Sequence, residues 1–173
     1  MSESFATLFG RDPETRAAAP GRVNLIGEHV DCHGGHVLPV PLPLVTRVDL
    51  AARTDRKVLC ASSSFPDQSP ITYQLDEPVR GRGWIDYVQG VTAALTAAGV
   101  RLPSGFELWI SSEVPLGSGL SSSAALEIAV LRALRQRFAL ALDDVTLARL
   151  GQAAENRFVG VPCASASRWT STT

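Results

Sequence analysis

Apolar residues recur along this chain with two different spacings, and the changes between them mark its elements. Trp84, Tyr87, Val88, Val91 and Leu95 share one face of a helix, which predicts a helical segment there. Leu126, Val130, Leu134 and Phe138 form an unbroken stripe at every fourth position and predict a second. A third is expected over Leu147, Leu150 and Ala154, capped by Asp143 or Asp144. Short apolar runs between turn residues predict strands at Arg22 to Ile26, Val45 to Ala51, Lys57 to Ser62, Ile71 to Leu75 and Phe106 to Ser111. The first sixteen residues read as a short helix and a loop ending at Ala17-Ala18-Ala19-Pro20. Ser62 to Pro70, rich in Ser and Pro, reads as another loop. No internal repeat is visible. Strands and helices are interspersed, so the class is mixed α and β, which by itself says nothing of function.

Composition narrows the picture a little. At 173 residues, 45% hydrophobic and 19% charged, the chain suits one soluble domain with a real core. A net charge of -1 favours neither nucleic acid nor a membrane surface as partner. No apolar run is long enough to span a bilayer, and the first residues lack the apolar stretch of a signal peptide. Cys32, Cys60 and Cys163 form no CxxC pair, so a reducing cytoplasm is expected. A monomer is expected as well.

The densest local signal is Val114-Pro115-Leu116-Gly117-Ser118-Gly119-Leu120-Ser121-Ser122-Ser123-Ala124-Ala125, between an expected strand and an expected helix. Glycines let backbone approach a bulky anion, and a helix N-terminus offers unpaired N–H groups and the positive end of its dipole. Serine hydroxyls add donors to phosphate oxygens or a ligand for Mg²⁺. A flexible turn followed by a serine cap is the plainer alternative. A Walker A loop is excluded, because the single lysine, Lys57, lies far upstream of these glycines. A dinucleotide fingerprint is mimicked by Gly117 to Ser122, but a helix rather than a second strand follows the helix. No G-x-S-x-G elbow surrounds these serines.

A second cluster runs from Gly21 to His36 and holds Arg22, Glu28, His29, Asp31, Cys32, His33 and His36. Carboxylates beside an imidazole suit the hydroxyls of a sugar. Arg22 could offset negative charge on a transferring phosphoryl group. Zinc is the competing reading for these ligand types, although no second ligand group with zinc-like spacing exists elsewhere in the chain. A polar hairpin turn with exposed histidines is the plain one.

Together the two stretches resemble the GHMP kinase superfamily and, within it, the galactokinase family. Gly21 to Gly35 is similar to that family's sugar-binding segment, and Pro115 to Ala125 to the superfamily's ATP loop. Trp84 to Gly90 resembles its W-x-x-Y-x-x-G helix start, and Glu155 to Cys163 the segment before its catalytic aspartate. The resemblance implies an α+β fold, the GHMP kinase N-terminal domain of the ribosomal protein S5 domain 2-like type, a mixed sheet with packed helices. It implies phosphoryl transfer from ATP to the anomeric hydroxyl of galactose, with galactose and ATP as partners and Mg²⁺ as cofactor. Glu28, His29 and Asp31 would hold the sugar. Gly117, Ser118, Gly119, Leu120, Ser121, Ser122 and Ser123 would wrap the triphosphate, with Ser62 near the nucleotide. Ser123 and Glu155 would ligate Mg²⁺, and Arg22 would stabilise the transition state. Val30, Cys32 and His33 stand where the family has Thr, Tyr and Asn, and Asn156 where a histidine is common. A non-catalytic galactose and ATP sensor, or another GHMP kinase with a different substrate, is the alternative.

The resemblance stops after Cys163. Residues 1–163 are expected to form the sugar-binding and ATP-loop domain, residues 164–173 an unrelated tail, and the C-terminal GHMP domain is expected to be absent. No Asp or Glu follows Glu155, so the family's catalytic aspartate has no counterpart and the chain is expected to be inactive. Ala166 to Ser171 can be written GCA TCA CGA TGG ACC AGT. Read from the third base, this gives ATC ACG ATG GAC CAG, Ile-Thr-Met-Asp-Gln, which suits the family's missing segment and points to a frameshift near Cys163.

Overall fold

A computed structural model describes residues 4–26 and 38–160. Its elements are α1 (Phe5–Phe9), β1 (Thr15–Ile26), β2 (Leu38–Ala52), β3 (Lys57–Ser62), β4 (Ile71–Gln74), α2 (Ile85–Ala97), β5 (Phe106–Ser112), α3 (Ser122–Arg137) and α4 (Asp144–Ala154). A single π-helical turn, Glu155–Val159, follows α4 directly. The strands form one mixed sheet in the order β1-β2-β5-β3-β4. Only β3 and β5 run parallel. The expected mixed α and β class is therefore the one observed.

Alternation along the strands assigns the two faces of the sheet. Val48, Leu50, Val58, Cys60, Phe106, Leu108 and Ile110 are buried with α2, α3 and α4 in the main core. Ala51, Ala61 and Trp109, one position out of step, are buried instead with Phe5 of α1. One face thus carries the helical layer that holds the site, and the short α1 closes the other. Ser4 caps α1, its Oγ accepting from Thr7 N at 3.3 Å, and Gly10 ends it at φ 69.

Two strands are longer than their local composition suggests. Ala17 to Pro20 do not end a loop; they lie within β1, where Ala17 pairs with Val48 and Pro20 with Val45. Alanine has little strand preference, but β1 is an edge strand, where proline is tolerated. The small side chains also let α3 come close, and Arg132 Nη1 donates to Ala18 O at 2.8 Å. β2 begins at Leu38 rather than near Val45. Its three prolines, Pro39, Pro41 and Pro43, all precede Thr46, where pairing with β5 begins. Their missing N–H groups remove no bond from that ladder.

The helices fall where the apolar stripes place them. Asp143 Oδ1 accepts from Thr146 N at 2.7 Å and so caps α4. Among the described residues, no helix is long and apolar enough to cross a membrane. Cys60 is fully buried, and burial pushes its thiol pKa up, so it is an inert part of the core. Cys32 and Cys163 lie outside the described residues.

Candidate functional site: the loop that opens α3

The segment from Glu113 to Ser121 carries the chain from the central strand β5 into α3. Pro115 to Gly119 are exposed, and the backbone turns left-handed three times, at Gly117 (φ 69), Gly119 (φ 74) and Ser121 (φ 58). The first two glycines are required by those dihedrals. Ser121 is the one position here where a side chain accepts that strain, at the N-cap of α3, and its hydroxyl does not cap the helix. The first-turn N–H groups of α3 therefore lack both an intrahelical acceptor and a serine cap, and are available to an anion. Ser118 Oγ donates to Pro115 O at 2.8 Å and braces the turn.

The loop is tied to β1. Arg22 N donates to Leu120 O at 3.1 Å. This happens beside the irregularity between Pro20 and Arg22 in the β1–β2 register. Gly21 makes the approach possible: a Cβ there would lie 2.8 Å from Leu120 O and 3.1 and 3.2 Å from the two methyls of Val114. Gly21→Ala is expected to push the loop off β1 and destabilise the chain by about 1–3 kcal/mol, read from urea unfolding.

Ser123, in the first turn of α3, donates from Oγ to Glu155 Oε1 at 2.7 Å. Glu155 is buried and begins the π turn, where the extra residue shifts the helical register. The end of α4 is held by α2. A Cβ on Gly90 would meet Ala154 Cβ, Ala154 O and Phe158 Cβ, each at 3.2 Å, so the two helices pack tightly at this glycine.

Glu127 lies one turn after Ser123, and only 1% of it is exposed. A Cβ on Gly151 of α4 would lie 3.7 Å from its Oε2. Its Oε1 has no hydrogen-bond partner among the described residues. Burial, then the nearby Glu155 carboxylate, push its pKa up to about 9, while Arg22 pulls the other way. Burial, followed by the carboxylates of Glu155, Glu127 and Asp86, also raises the Tyr87 hydroxyl. Two buried carboxylates and the Ser123 hydroxyl thus lie together between α3 and the end of α4, with the Arg22 guanidinium near enough to act on Glu127.

Of the residues singled out in the sequence, the structure brings Arg22, Leu120, Ser123 and Glu155 into one region. Ser62 sits at the end of β3, opposite Ile110, with its Oγ accepting from Ser64 N at 3.3 Å in its own turn. Phe65, just beyond, stacks on Trp84 with ring centroids 5.9 Å apart. Glu28, His29 and Asp31 lie outside the described residues, as do all the zinc-ligand candidates Cys32, His33 and His36. Glu127 was not singled out by the sequence reading. Its signal was present nonetheless: an acid inside an otherwise apolar helical stretch, Ala124-Ala125-Leu126-Glu127-Ile128-Ala129.

Comparison with known families bears on this geometry directly. Residues 86–167, which include the loop, α3 and Glu155, match the GHMP kinases N terminal domain. This chain carries a GHMP kinase N-terminal domain. Residues 3–52 ahead of the GHMP kinase match correspond to the galactokinase galactose-binding signature. A galactokinase from Lactococcus lactis subsp. lactis is 42% identical over 164 residues, covering 93% of this chain and 41% of that protein. One from Roseiflexus sp. is 43% identical, covering 94% and 41%. The crystal structure of Lactococcus lactis galactokinase complexed with galactose superposes with a TM-score of 0.86 at 41% identity, over 94% of this chain and 43% of that one. Methanococcus jannaschii mevalonate kinase shares the fold at a TM-score of 0.74 and 22% identity, over 90% and 49%. The chain thus spans less than half the length of the relatives it matches.

Proposed function

We propose that this chain forms the sugar-binding and triphosphate-binding part of a galactokinase, which transfers the γ-phosphoryl group of ATP to the anomeric hydroxyl of galactose. The observation that carries the reading is the hydrogen bond from Arg22 N to Leu120 O at 3.1 Å. It joins β1, which lies within the stretch that matches the galactose-binding signature, to the loop that opens α3, so sugar and phosphate sides share one frame.

In this reading Glu28, His29 and Asp31 hold galactose, the carboxylates accepting from its hydroxyls. Gly117, Ser118, Gly119, Leu120, Ser121 and Ser122 surround the triphosphate, and the amides of the first α3 turn donate to its oxygens. Arg22, fixed by its backbone bond to the loop, offsets charge on the moving phosphoryl group. Ser62 stands on the nucleotide side at the end of β3. A hydroxyl and a buried carboxylate at 2.7 Å, Ser123 and Glu155, are the hard oxygen donors that suit Mg²⁺. The Oε1 of Glu127, buried near Glu155 and unpartnered among the described residues, adds a further oxygen there. When bound, the ion neutralises phosphate charge. For both residues to face it as acceptors, the Ser123 proton must turn away from Glu155.

The proposal extends to a cytoplasmic, monomeric protein, with residues 1–163 as the functional unit and 164–173 read from a shifted frame. Resequencing from the codon for Glu155 onward tests the frame, and sedimentation tests the oligomeric state. The 173-residue chain itself is expected to bind without turnover, since no carboxylate follows Glu155 to serve as base. Calorimetry should show galactose and ATP each binding the chain, with no galactose-dependent ADP release. Absence of binding by both ligands would remove the reading; brisk ADP release would remove the expectation of inactivity.

A further inference from the structure

We propose that Glu127 is a third oxygen ligand of the cation site that Ser123 and Glu155 form, reached through its Oε1 either directly or through a water held by the ion. The inference rests on the proposed function, because it takes Ser123 and Glu155 as cation ligands.

The placement comes first. Ser123 and Glu127 are four residues apart on α3 and so lie on one face, and helical side chains lean toward the helix N-terminus. The Glu127 carboxyl is thereby carried back toward Ser123. Across from it on α4 is Gly151, four residues before Glu155. A Cβ on Gly151 would lie 3.7 Å from Glu127 Oε2, an ordinary contact distance, so the carboxyl packs directly against α4. Glu127 and Glu155 thus approach from two helices, with Ser123 bridging to the second of them.

The charge balance comes next. Buried carboxylate oxygens are normally satisfied by donors, and an unpaired one in low dielectric is costly. Glu127 is 1% exposed and Glu155 6% exposed, so water cannot fill that role freely. The positive charge that acts on Glu127 is Arg22, which sits on β1. With Glu155 close by and its Oε1 unpartnered among the described residues, Glu127 offers a buried oxygen that a divalent cation would satisfy. A structural role alone does not account for the arrangement: a leucine or methionine would fill the same space between α3 and α4 without the charge.

Mn²⁺ binding to the full 173-residue chain, followed by electron paramagnetic resonance of free and bound ion, tests the inference without any need for turnover. The variants are Glu127→Gln, Glu127→Asp, Ser123→Ala and Glu155→Gln, with folding of each checked by circular dichroism. Glu127→Gln keeps the volume and should fold, yet weaken Mn²⁺ binding by about 10–100-fold, the range seen when a metal's supporting ligands are changed. Glu127→Asp, which keeps the charge, should recover part of that loss, as a packing role would not. If Glu127→Gln binds Mn²⁺ as wild type does while Ser123→Ala and Glu155→Gln lose it, the inference fails and the cation reading of Ser123 and Glu155 survives. If the wild-type chain itself binds no Mn²⁺, both fail.

Discussion

Replacing Glu127 by glutamine will stabilise the ion-free chain at neutral pH, and the gain will vanish in acid. The carboxyl goes from an ordinary value of 4.5 in the unfolded chain to about 9 in the folded one, chiefly through burial and secondarily through Glu155. Below 4.5 it is protonated in both states and carries no penalty. Between there and about 9, ionisation favours the unfolded chain alone, so wild-type stability falls as pH rises. The limiting slope is about 1.4 kcal/mol per pH unit. Glutamine has the same shape and cannot ionise, so the variant should track wild type in acid and pull away above it. Urea unfolding across this range reads the difference directly, and parallel curves would show that Glu127 is not the group responsible. The same substitution is expected to cost cation affinity, so stability and affinity should move in opposite directions.

Gly105→Ala will cost more than alanine at any other described glycine. Gly105 links the ends of two neighbouring strands, its N donating to Asp55 O at 2.7 Å and its O accepting from Arg53 N at 2.9 Å. A Cβ built there falls 1.9 Å from Lys57 O, 2.6 Å from Lys57 C and 2.8 Å from Lys57 N. All three are backbone atoms, so no rotamer change relieves the overlap; β3 and β5 must separate where they pair in parallel. The expected loss exceeds about 4 kcal/mol, beyond the usual range for point substitutions, and should appear as loss of a cooperative thermal transition. Gly10→Ala is the control. That glycine has φ 69 with nothing within 4 Å of a Cβ, so only backbone strain of about 1 kcal/mol is expected.

How much of this was legible in the sequence depends on the range over which each feature is determined. The stripe Leu126, Val130, Leu134 located α3 because helix periodicity is local, and Asp143 marked the start of α4 by a bond to Thr146 three residues on. The glycine-serine loop was legible for the same reason, since its left-handed turns are written in its glycines. The strand at Ala17 to Pro20 was missed because its conformation comes from β2, about thirty residues away, and not from alanine or proline. The Ser123–Glu155 pair spans 32 residues and came from resemblance, as no spacing rule joins α3 to a π turn after α4. Glu127 reads as an unremarkable helical glutamate until Gly151 of the facing helix is brought against it.

That span of 32 residues also sets a timetable. A chain leaving the ribosome presents β1, the loop and the first turn of α3 before α4 exists, and domains complete their folding as units. Ser123 therefore waits through the synthesis of α3 and α4 for its partner, and Glu127 for the face of α4 that it packs against. Competence to take a cation would arrive abruptly, when Glu155 clears the exit tunnel and α4 settles onto α2. A nascent chain arrested before that point would hold Ser123 and Glu127 without Glu155.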